Sequence, residues 1–122
     1  LVYGWKLIDA YQPSTGDARL LMAPTAQTNT GTDISELRLL IGTTDRRYTL
    51  PSSCVGAAVY GNALYAFSSD YLYKTDISTQ KFYAYSIPVP DGSAVTRFLG
   101  LTSGGRAILA CGDTVYTVTL PE

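Results

Sequence analysis

The sequence predicts an all-β protein, and three observations carry that prediction. Residues 55–88 hold four short apolar runs, divided by Gly61-Asn62, Ser68-Ser69-Asp70 and the stretch Asp76–Gln80. That is the pattern of one antiparallel four-stranded sheet. Ten Tyr, three Phe and one Trp stand against a single Met, a composition suited to half-buried pleated surfaces. No segment carries apolar residues at helical spacing, so helix content is expected near zero.

Taken in order, residues 1–11 read as a strand in which Tyr3, Trp5 and Leu7 share one face. The segment 12–16, with Pro13 and Gly16, supplies a turn. Residues 18–24 form a second strand, and the Thr-rich stretch 25–33 reads as a loop longer than a usual hairpin connection. Residues 36–42 and 47–50 make a hairpin around Thr43-Thr44-Asp45. After the four-stranded unit comes a Pro/Gly linker at 88–94, then runs at 95–101, 106–111 and 114–120, with turns at 103–105 and 112–113.

With 122 residues the chain is within the range of one domain and can bury a core without metals or staples. Six Arg and three Lys are scattered among ten acids for a net charge of −1, so no basic face exists to release counterions and nucleic acid is not expected as a partner. No run reaches the apolar length of a membrane helix, so membrane insertion is not expected. Lys6 and Asp9 interrupt residues 1–11, which therefore do not resemble a signal peptide, and a start without Met suggests processing or a piece of something longer. Histidine is absent, which removes Ser-His-Asp and Cys-His nucleophile systems and imidazole metal sites. The two cysteines are too far apart for zinc-finger spacing. No metal and no cofactor is expected.

Internal repetition adds organisation. Residues 63–73, ALYAFSSDYLY, align with 107–116, AILACGDTVY, and residues 13–24 align with 77–88, sharing Ser-Thr and a closing Pro. The units these suggest are 1–52, 53–90 and 91–122. The stretch ALYAFSSDYLYKTDISTQKF (63–82) resembles the strand–turn–strand–turn–strand core of a β-propeller blade of the Kelch or PQQ-like kind, and LLIGTTDRRYTL (39–50) resembles the middle hairpin of another. The Trp-Asp, Gly-His and doubled-Gly signatures of the named families are missing, so no functional residues transfer. The resemblance implies about two and three-quarter propeller-like antiparallel four-stranded blades, which must be completed by copies of the chain, a longer polypeptide or another chain. The alternative is a single β-sandwich or barrel. In a row of blades, the start of a first strand and the end of a second face the same side. Cys54 and Cys111 could then form a disulfide between neighbouring blades, or remain two buried thiols.

Candidate site residues are few. Tyr71, Tyr73, Tyr83 and Tyr85 lie across one turn and could form a ladder that stacks on sugars or bases; cross-strand pairing inside a sheet is the plainer reading. Trp5, beside Tyr3, is either an interface anchor or a core residue. Arg46 and Arg47 could clamp an anion only if the turn brings them together, since adjacent strand residues point to opposite faces. Most Asp residues stand at turns, where the side chain bonds its own backbone, and no carboxylate pair is singled out. The expectation is a non-catalytic interaction or assembly module of a secreted, surface or particle-associated protein, with other chains or itself as partner. A carbohydrate-binding module with glycan partners, or a fragment of a propeller enzyme, are the alternatives. Cysteine usage leans toward an oxidising compartment.

Overall fold

The computed structural model describes residues 2–29 and 33–122. Eleven strands form three antiparallel sheets in chain order. The first sheet, A, holds β1 (Trp5–Tyr11), β2 (Arg19–Pro24), β3 (Ile34–Ile41) and β4 (Thr44–Cys54). Sheet B holds β5 (Gly56–Tyr60), β6 (Ala63–Phe67), β7 (Tyr71–Asp76) and β8 (Tyr83–Ser86). Sheet C holds β9 (Arg97–Leu101), β10 (Arg106–Cys111) and β11 (Thr114–Thr119). Every strand pairs with its sequence neighbour, and the sheets close into neither a barrel nor a two-sheet sandwich.

Short loops set this topology. Ile41↔Thr44, Tyr60↔Ala63 and Cys111↔Thr114 close two-residue turns that each begin with a glycine at φ near +58°, namely Gly42, Gly61 and Gly112. A residue there must adopt positive φ so that the turn matches strand twist, which glycine does without a Cβ clash. The first of these turns is therefore Gly42-Thr43, and Thr44 and Asp45 belong to β4 rather than to the turn expected around them. Pro51 also falls within β4, where it is tolerated because β4 is an edge strand. In place of an unbroken loop after residue 24, Thr25–Asn29 makes one turn of α-helix, with the Thr28 hydroxyl donating to Thr25 O at 3.1 Å. Thr and Asn are poor helix formers, so composition gave no sign of it.

The sheets pack face to face in the order A, B, C. Leu21, Leu37, Leu39 and Tyr48 of sheet A meet Val59, Leu64, Ala66 and Tyr73 of sheet B. On the other side of sheet B, Ala63, Tyr65, Phe67 and Leu72 meet Ala107, Leu109 and Val118 of sheet C. All five residues of β6 are consequently buried, which is why ALYAF shows no polar alternation. This corrects both repeat alignments. Ala63, Tyr65 and Phe67 face sheet C, whereas their aligned partners Ala107, Leu109 and Cys111 face sheet B, so the match is one residue out of phase. The other alignment pairs the second strand of one sheet with the fourth strand of another.

Cys54 lies in the A–B core and Cys111 in the B–C core, on opposite sides of sheet B. Both are free thiols, and the disulfide reading is set aside because a sheet stands between them.

Candidate functional site

The first strands of the three sheets come together: β1 lies against β5, and β5 against β9. Each is an edge strand, paired on one side only. Between them runs an open groove of about 930 Å³, lined chiefly by residues 8–11, 55–60 and 96–103. A β-bulge between Leu7 and Asp9 shifts register and turns the Asp9 carboxylate across to β5, where Oδ2 accepts from Val59 N at 2.9 Å. At Gly56 a Cβ would come within 2.6 Å of Phe98 Cβ, so this glycine permits the close approach of β5 and β9. Tyr11 and Tyr60 meet edge to face at 5.6 Å on the groove wall, and Arg19 stacks over Tyr11 while donating to Gly61 O. The Thr96 hydroxyl is engaged by Ala110 O and Gly112 N. Among the described residues no group of His, Cys, Asp or Glu could hold a metal. No helix among them is long and apolar enough to cross a membrane.

The four tyrosines singled out in the sequence do not form one ladder. Register pairs Tyr73 with Ala84 and Leu72 with Tyr85, so Tyr71 and Tyr73 occupy the face toward sheet A while Tyr83 and Tyr85 occupy the face toward sheet C. Tyr73 is buried with its hydroxyl 2.8 Å from Ser52 Oγ, and its ring stacks on Tyr71 at 6.1 Å. Tyr83 and Tyr85 are exposed, with Lys81 Nζ over the Tyr83 ring at 5.3 Å.

Arg46 and Arg47 diverge, as alternation requires. Arg46 Nη1 donates to Ile77 O at 3.0 Å, and Tyr48 OH donates to the same carbonyl at 2.7 Å, tying sheet A to the β7–β8 turn. Arg47 points to the outward face of sheet A. There its guanidinium stacks on Trp5 at 5.1 Å beside that of Arg38 at 5.4 Å. No shared anion clamp forms. Trp5 is half-buried on this face rather than in a core, and Tyr3 is fully exposed in the turn before β1.

Arg38 was not visible as a site residue because only register brings β3 beside Trp5. It holds Asp45 through Nε–Oδ1 at 2.9 Å and Nη2–Oδ2 at 2.5 Å. This hydrogen bond, with the Arg38 charge, keeps the Asp45 carboxyl below the usual carboxylate range and Arg38 above its own. Elsewhere burial is the leading cause, opposed at Tyr48 by Arg46 and joined at Tyr65 by Tyr60, Asp76 and Tyr85. It pushes the Cys54 thiol up to about 12, with a smaller contribution from Asp33, and raises the Tyr48 and Tyr65 phenols. Burial and the neighbouring Cys111, whose thiol donates to Tyr116 OH at 3.6 Å, raise the Tyr116 phenol as well.

No protein-family model, curated protein or solved structure matches the chain.

Proposed function

We propose that the chain is a non-catalytic assembly module, three propeller-like blades of a larger ring whose remaining blades come from neighbouring subunits or further polypeptide. One observation carries this reading: three successive meanders stack face to face with their first strands against a common groove. Propeller blades likewise stand around a central channel, and this likeness supports the reading. The arrangement leaves the outward faces of sheets A and C without a neighbouring sheet, and each carries an exposed apolar residue, Leu7 on A and Val115 on C. Sheet B, covered on both sides, is the contrast: its β6 exposes nothing. A secreted, surface or particle-associated setting would suit such a module.

Sedimentation velocity of the full chain at micromolar concentration tests the proposal. A species at a multiple of 13.1 kDa is expected. A compact monomer that stays monomeric at tenfold higher concentration sinks self-assembly, and one that also captures no further blade-bearing polypeptide sinks the module reading. A glycan reading no longer has the tyrosine ladder that motivated it, since the four rings lie on two faces.

A further inference from the structure

We draw no further inference here: the strongest candidate, the open groove between the edge strands β1, β5 and β9, belongs to the site already described, and nothing in the structure shows which ligand would fill it.

Discussion

Met22 is on the outward face of sheet A, with no other sheet over it, yet it is 1% exposed. The Trp5 ring from β1 meets the guanidiniums of Arg38 and Arg47 from β3 and β4, so the three side chains together span β2, where Met22 stands. With the two arginines, Trp5 does locally what a neighbouring sheet does elsewhere. Replacing it with Ala should cost about 2 kcal/mol in urea denaturation, from lost apolar cover and two cation–π contacts. The same variant should let peroxide oxidise Met22 several-fold faster, followed by mass spectrometry. Cys54 gives a second prediction at this scale. Its thiol is raised in the folded state from 9.0 to about 12, so between those values the unfolded chain has lost a proton that the folded chain retains. Stability is then present in full below about pH 9 and falls as pH rises toward about 12. In Cys54→Ala the alkaline slope of the urea midpoint should shrink by one proton's worth; an unchanged slope would mean that the thiol is not held neutral.

Among the elements, β6 is the one on which both cores depend. Leu64→Ala opens the A–B core and Phe67→Ala the B–C core, where Phe67 stacks on Phe98 at 4.4 Å. Each should cost about 3 kcal/mol. At the β5–β9 approach, Gly56→Ala places its Cβ 2.6 Å from a Phe98 atom that is fixed to the backbone and cannot swing aside. A loss of about 1–3 kcal/mol is expected, whereas Gly104→Ala, whose nearest neighbour is 3.8 Å away, should stay within about 0.5. Strand positions were legible because turn glycines and apolar alternation are local signals. The pairing of rows was not: a one-residue change of phase moves a side chain to the other face, and neither the tyrosine split across β8 nor the Arg38–Trp5 contact can be read without register. The disulfide reading failed for the same reason, since it needed Cys54 and Cys111 on one side of sheet B.

At the scale of the molecule, one core joins sheet A to sheet B and the other joins sheet B to sheet C, as repeats in a stack pack on their neighbours. Leu37 belongs to one core and Leu109 to the other, with the two faces of β6 between them. Leu37→Ala and Leu109→Ala should therefore add to within about 0.5 kcal/mol when combined, while Leu37→Ala and Leu64→Ala, which share a core, should not. Native-state hydrogen exchange should rank the strands accordingly: β6 slowest, because opening it breaks both cores, and β11 fastest among the core-bearing strands, because it closes one core from an open edge. If β11 exchanged as slowly as β6, the three sheets would open as a single unit. The outward faces would then be sealed without any neighbour, and the molecule would have no energetic need of the polypeptide that the assembly proposal assigns to it.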